Sequence, residues 1–401
     1  MSGFGRSLLP QWALDPAITY LNHGTVGATP RRVLAAQQAI RDEIQRQPAR
    51  YLLRELADVK QIEMRVRPRM RVAADAVAAF LGARGDDLAF VDNATAGANA
   101  VLRSLRLSAG DEIVVTDHGY GAVTNAARFV AERAGGRVVT AELPHPRWDA
   151  GAITEAIAAA LTPRTRLAIV DHVSAPTALV LPLADIVARC RAAGVPVLVD
   201  GAHAPGAIAL DVPATGADWY TGNLHKWAMA PVSSAILWAP PERQQDLHPT
   251  VISWGYELGF TAEFDLLGTR DPSPWLAAPE GLAFMRDLGL EAMREWNHRL
   301  AWGSAVLLAD RWGIELPQVE AMVGTMVSVP LPARFGSSMA DGARLKDALL
   351  YEDGIEAQIT GFRDRLLWRI SAQVYNEPAD VEHAARAIEK RAVAPASPLR
   401  S

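Results

Sequence analysis

At 401 residues the chain is too long for one small core and predicts two or three packed units. Half of it is apolar and 21% is charged, the balance of an ordinary globular protein. A net charge of −5 gives no global attraction to nucleic acid or an anionic membrane, and no run of about 18 apolar residues predicts a spanning helix. In chain order, residues 87–91 (DLAFV) read as a strand followed by a helix over 95–105. Residues 112–116 (EIVVT) predict the next strand and 121–133 the next helix. Strands at 137–141, 166–173 and 195–199 continue the alternation, separated by helices at 152–161 and 183–193. Strands spaced by 10–15-residue helical patterns indicate βαβ units and a parallel sheet covered on both faces.

Two strands follow at 218–221 and 232–238 with no helix between them, which predicts mixed pairing at one side of the sheet. Residues 249–279 are rich in Pro, Gly and Trp and read as a long functional loop. From residue 280 the pattern starts afresh, with a helix over 282–309, strands near 322–329 and 367–370, and a closing helix over 378–391. The expected organisation is an N-terminal arm (1–30), a large α/β domain (31–279), a smaller α+β domain (280–392) and a disordered tail (393–401). The basic cluster Arg65, Arg67, Arg69 and Arg71 is expected to form a solvated or intersubunit helix face. The single cysteine, Cys190, excludes an internal disulfide framework. With no secretory signal pattern in residues 1–10, it predicts a cytoplasmic protein.

Ligands of open α/β sheets sit outside the carboxyl ends of the parallel strands. Five such ends carry titratable or hydroxyl groups: Asn93-Ala94-Thr95, Asp117-His118-Gly119-Tyr120, Asp171-His172, Asp200-Gly201-Ala202-His203 and His225-Lys226. Asp200 ends an apolar run, where a carboxylate is costly unless a cation meets it. It either caps the following turn or partners a protonated ring nitrogen. Lys226, among Trp219, Tyr220 and Trp227, is either an exposed loop lysine or an amine desolvated for Schiff-base chemistry. The turn at Ala94 and Thr95 offers backbone N–H groups and a hydroxyl to an anion, as an ordinary helix cap also would. His118 or Tyr120 could stack on a flat ring. Arg369, in Leu367-Trp368-Arg369-Ile370-Ser371, is a candidate carboxylate clamp or a plain edge-strand arginine. No two histidines have the i, i+4 spacing of a helical zinc motif, so no metal is expected.

These residues in this order resemble the class V aminotransferase group of fold-type I pyridoxal-phosphate enzymes, and within it the isopenicillin N epimerase-like proteins. Asp200-Gly201-Ala202-His203-Ala204-Pro205-Gly206 and the His225-Lys226 segment are the specific matches. Leu21-Asn22-His23-Gly24-Thr25-Val26-Gly27, Ser253-Trp254-Gly255, Gly268-Thr269-Arg270-Asp271 and Arg369-Ile370-Ser371 with Tyr375-Asn376 support them, so the resemblance spans about residues 15–385. It implies a mainly parallel seven-stranded sheet in a large domain, a smaller α+β C-terminal domain and pyridoxal 5′-phosphate as cofactor. Lys226 would hold that cofactor as a Schiff base and shuttle the α-proton of an amino-acid-type substrate. Asp200 would pair with the ring nitrogen, and His203 would lie near the ring's phenolic oxygen. Ala94, Thr95, Asn223 and His225 would hold the phosphate, and Thr269 would reach the phosphate of a neighbouring subunit in a homodimer with shared sites. His118 or Tyr120 would cover the open ring face. Arg369 would bind the α-carboxylate, with Asn22 and His23 near the substrate.

Cysteine desulfurases of this group use a cysteine on a mobile loop late in the chain, whereas Cys190 falls on a predicted crossover helix, which disfavours persulfide chemistry. Epimerisation needs an acid across the ring from Lys226, a role open to Tyr120 or His118. Expulsion of a β-sulfur group, a C–S lyase reaction on a cysteine conjugate or its sulfoxide, is the alternative, and transamination a further one. The overall resemblance ranks epimerisation first.

Overall fold

The computed structural model describes residues 3–58 and 67–391. The tail expected to be disordered and Arg65 of the basic cluster lie outside the described residues. The strands in chain order are β1 (Thr19–Tyr20), β2 (Leu88–Val91), β3 (Glu112–Thr116), β4 (Arg137–Ala141), β5 (Thr165–Asp171) and β6 (Val197–Asp200). Then come β7 (Trp219–Asn223), β8 (Ala235–Trp238), β9 (Val327–Pro330), β10 (Ile355–Glu356), β11 (Gln358–Phe362) and β12 (Arg365–Ile370). The chain divides into two compact units, one of residues 26–175 and 180–290, the other of residues 1–25, 176–179 and 291–401. No helix among the described residues is long and apolar enough to cross a membrane.

The larger unit is built on a seven-stranded sheet in the order β2-β8-β7-β6-β5-β3-β4. The five strands from β7 to β4 run parallel, while β8 is antiparallel to both β7 and β2. Strands buried on both faces need continuous apolar runs, and β2, β6 and β8 are buried at every position. The helix Ala94–Ser104 presses small residues onto β7, since a Cβ on Gly97 would come 2.2 Å from the Thr221 hydroxyl. From β3 the chain crosses to β4 on one side, and from β5 it crosses to β6 and β7 on the other. That reversal puts a topological switch point between the carboxyl ends of β3 and β5.

The smaller unit has a three-stranded antiparallel sheet, β11-β12-β9, backed by the helices Met339–Asp353 and Pro378–Glu389. Its apolar centre gathers Trp312, Val329, Leu349, Trp368 and Ile388. The N-terminal segment is stitched into this unit: β1 pairs with β10, and Asn22 bridges Ser371.

Several elements differ from expectation. The helix expected over 282–309 is two, Ala278–Leu288 and Leu290–Trp312, parted at Gly289, whose φ of 88° breaks the helix. The long loop over 249–279 contains the helices Phe260–Asp265 and Ser273–Leu276. The basic cluster is not simply solvated. Arg69 bridges Glu43 and Glu55, and Arg71 is buried against Asp265.

Candidate active site

In the larger unit the strand ends bring together the residues singled out from sequence around Lys226. Asp200 closes β6 almost wholly buried; its Oδ1 accepts the Ala202 N–H at 3.0 Å, and its Oδ2 has no hydrogen-bond partner among the described residues. Burial pushes the Asp200 carboxyl up, opposed by the Ala202 N–H and by Lys226. His203, the residue after that N–H, places Nε2 3.3 Å from the Lys226 Nζ. Small residues make this approach feasible. A Cβ on Gly206, where φ is 89°, would come 2.4 Å from the Trp227 carbonyl oxygen, so the turn after β6 lies directly on the backbone that follows Lys226.

The phosphate candidates converge in the same unit. Asn223, the last residue of β7, accepts the Ala94 N–H at 2.8 Å, while Asn93 caps the helix by accepting the Ala96 N–H at 2.9 Å. Thr95 therefore sits in the first turn of a capped 11-residue helix whose N–H groups and dipole favour an anion. His225 is held by the Ser234 carbonyl oxygen 3.1 Å from its Nδ1, which assigns the proton to Nδ1. Burial first and Lys226 second bring its pKa down to about 4, so the ring is neutral at physiological pH. The turn around Lys226 carries two non-glycine residues at positive φ, Met229 (58°) and Ser233 (69°), backbone conformations that persist where the surroundings enforce them.

The two aromatic candidates are separated. His118 is wholly buried after β3, with the Trp148 ring edge-on at 5.4 Å. Tyr120 is 48% exposed at the start of the helix Gly121–Arg133. Asp171, noted from sequence only as a strand end, is the in-register neighbour of Asp200 across β5 and β6. Thr269 lies elsewhere, exposed on a cavity of about 200 Å³ with Pro48, Leu52, Arg270 and Trp275; none of the residues around Lys226 lines that cavity.

The smaller unit holds the remaining candidates, Arg369 and Asn22 in one chain of hydrogen bonds and His23 in a separate one. Arg369, buried on β12, donates from Nη2 to the Thr25 hydroxyl at 2.8 Å. Thr25 donates to the Asn22 Oδ1, and Asn22 Nδ2 donates to Glu356 Oε1 at 2.8 Å. His23, fully buried, shares a 2.9 Å hydrogen bond between Nδ1 and the Tyr375 hydroxyl. Sequence reasoning missed Thr25 and Glu356 as members of this set. Thr25 lies in the segment 21–27 that carries part of the family resemblance, whereas Glu356 lies 334 positions from Asn22 and carries no local signal.

The model of the class V aminotransferase family matches residues 19–383. The chain belongs to that family. The isopenicillin N epimerase of Streptomyces clavuligerus is 34% identical over 394 residues, which is 94% of this chain and 95% of that protein. The probable chloroplastic L-cysteine desulfhydrase of Arabidopsis thaliana is 32% identical over 400 residues, 91% of this chain and 81% of that protein. Among solved structures, the cystine C–S lyase C-DES in complex with its product cysteine persulfide matches with a TM-score of 0.75 at 23% identity, covering 93% of this chain and 97% of that one.

This member of the class V aminotransferase family is a fold-type I enzyme whose cofactor is pyridoxal 5′-phosphate. The residues present fit that group on their own chemistry. A buried carboxylate oxygen without a donor suits a protonated ring nitrogen, and a lysine amine is near enough to act on that carboxylate's charge. A capped helix N-terminus and a neutral histidine suit a phosphate. Cys190 lies buried in the helix Leu183–Ala192, where burial and Asp218 bring its thiol up to about 11, so it is neither accessible nor ionised enough to accept sulfur.

Proposed function

We propose that this enzyme acts at the Cα of an amino acid or amino-acid-containing substrate, and that its reaction is epimerisation. The unpartnered Oδ2 of buried Asp200, one turn from the Lys226–His203 contact, is the observation that carries the assignment of the centre. The 34% identity with an epimerase over nearly the full length of both chains supports the choice of reaction. Bound at this centre, pyridoxal phosphate supplies an electron sink for the charge left when a bond to Cα breaks. Lys226 would hold the cofactor through Nζ, and its amine would move the α-proton on its own face. Asp200 would meet the ring nitrogen through Oδ2 and favour its protonated form. Ala94, Thr95, Asn223 and His225 would hold the phosphate, and His203 would lie near the phenolic oxygen. His118, enclosed at the switch point, would cover the ring, and the exposed Tyr120 hydroxyl would supply the acid on the opposite face. Arg369 takes the substrate carboxylate, its guanidinium fixed by Thr25, while Asn22 and His23 complete the substrate side.

Identity with a named desulfhydrase at 32% supports a second reading, expulsion of a β-sulfur group as Tyr120 protonates the leaving sulfur. Transamination is a third. The enzyme works as a homodimer, with Thr269 on the phosphate of the neighbouring subunit, in the reducing cytoplasm that its one buried thiol tolerates.

Incubation of the yellow holoenzyme with candidate amino acids in deuterated water separates these outcomes. Exchange at Cα with inversion is the expected result, and release of pyruvate with sulfide instead would transfer the assignment to the lyase. Colourless protein, or Lys226→Ala that still traps cofactor on borohydride treatment, would overturn the reading of the centre.

A further inference from the structure

Asp171 is a buried carboxyl for which the proposed chemistry has no role. It ends β5 at the switch point, 5% exposed, and is paired in parallel register with Asp200, 3% exposed, at the end of β6. In-register residues of parallel neighbours point to the same face about 5 Å apart, so two carboxyls share one dry corner. The turn after β3 closes it from the other side, with a Cβ on Gly119 falling 3.7 Å from Asp171 Oδ2. Two carboxylates in such a place cannot both ionise. The supports are unequal. Asp200 has the Ala202 N–H and the Lys226 charge, whereas the hydrogen bond that lowers the Asp171 carboxyl comes from its own backbone. Burial and the Asp200 charge both push the Asp171 carboxyl well above the usual aspartate range.

We propose that Asp171 is a positioning residue that keeps a proton beside Asp200, so that Asp200 alone is the anion facing the cofactor's ring nitrogen. The proposal rests on the reading that Asp200 meets that nitrogen. The pair carries one proton, Asp171 is its seat, and a neutral neighbour leaves Asp200 free to hold its charge. The other titratable groups around the corner are Asp117 and His118 after β3, His172 after β5, His203 after β6, and Tyr220 and Lys226 on and beyond β7. Of these, burial holds His172 neutral with a pKa down at about 4 and keeps the Tyr220 phenol protonated.

Asp171→Asn keeps a neutral donor where the carboxyl stood, and Asp171→Ala removes it. With holoenzyme, Asp171→Asn is expected to release pyridoxal phosphate within about twofold of the wild-type rate at neutral pH and Asp171→Ala about tenfold faster. The second readout uses cofactor-free protein. A carboxyl raised in the folded state adds stability below the usual aspartate range and loses it as pH rises toward its folded value. Wild-type Tm should therefore fall relative to Asp171→Asn as pH rises above the usual aspartate range. Parallel Tm profiles, or Asn releasing cofactor as fast as Ala, would overturn the proposal. If Asp171→Ala fails to fold, the Asp171→Asn profile decides alone. Asp200→Ala separates the two readings: cofactor release at the wild-type rate there would remove the Asp200–ring pairing while leaving the Tm test of the Asp171 proton intact.

Discussion

Gly27 shows how narrowly the Lys226 turn is held. Its φ is +78°, and a Cβ there would stand 2.0 Å from the His225 carbonyl oxygen and 2.9 Å from the Lys226 Cα. Gly110 shares the left-handed conformation at +85° but has nothing within 4 Å of such a Cβ. Gly110→Ala should therefore cost only the conformational preference, about 1–2 kcal/mol, with cofactor occupancy unchanged. Gly27→Ala must also push the backbone that carries Lys226, so it should lower Tm further and reduce the visible absorbance of the bound cofactor. Equal effects from the two substitutions would show that the contact does not hold the turn. At this scale the sequence was legible where a side chain is expensive in its setting: an aspartate ending VPVLV, a lysine among aromatic residues. It was illegible where the setting is made by distant chain. Nothing near Glu356 announces Asn22, and nothing in β5 announces that Asp171 stands beside Asp200 rather than in solvent.

Among the elements, the βαβ alternation was legible because two-face burial writes an apolar run and crossover helices write an amphipathic one. The strand Glu112–Thr116 and the helix Gly121–Arg133 fall on the expected residues. Short pieces were not: β1 and β10 have two residues each, too few for any period to show. Charge patterning also misled at Arg71, which looks like one of a basic row. On the helix Arg69–Phe80 it turns inward, where Nε donates to Asp265 Oδ2 at 2.7 Å and Nη1 donates to the Gly85 and Leu88 carbonyls at 2.9 Å each. Burial keeps the Asp265 carboxyl raised even with Arg71 against it. Arg71→Met would strand that carboxyl and should cost about 3–5 kcal/mol, while Arg71→Met with Asp265→Leu should recover most of the loss. Urea unfolding of the three variants closes the cycle; additive costs would mean that the pair is not coupled.

For the whole molecule the open question of assembly can be put to Thr269. It is exposed on the wall of an apolar cavity, and the segment before it presents Val251, Ile252, Tyr256 and an 81% exposed Trp254 to solvent. Apolar side chains grouped in this way on a surface suit a protein–protein contact. A homodimer with shared sites takes Lys226 from one protomer and Thr269 from its partner, which makes a quantitative expectation. Lys226→Ala homodimers should be inactive and Thr269→Ala homodimers strongly impaired. After unfolding and refolding an equal mixture, half the dimers are mixed, and each mixed dimer has one site with both residues intact. Activity should then return to about one quarter of wild type, because the symmetric interface uses each patch twice. A mixture that gives only the average of its two parents would mean that Thr269 does not act across the interface, and would return the phosphate wholly to Ala94, Thr95, Asn223 and His225.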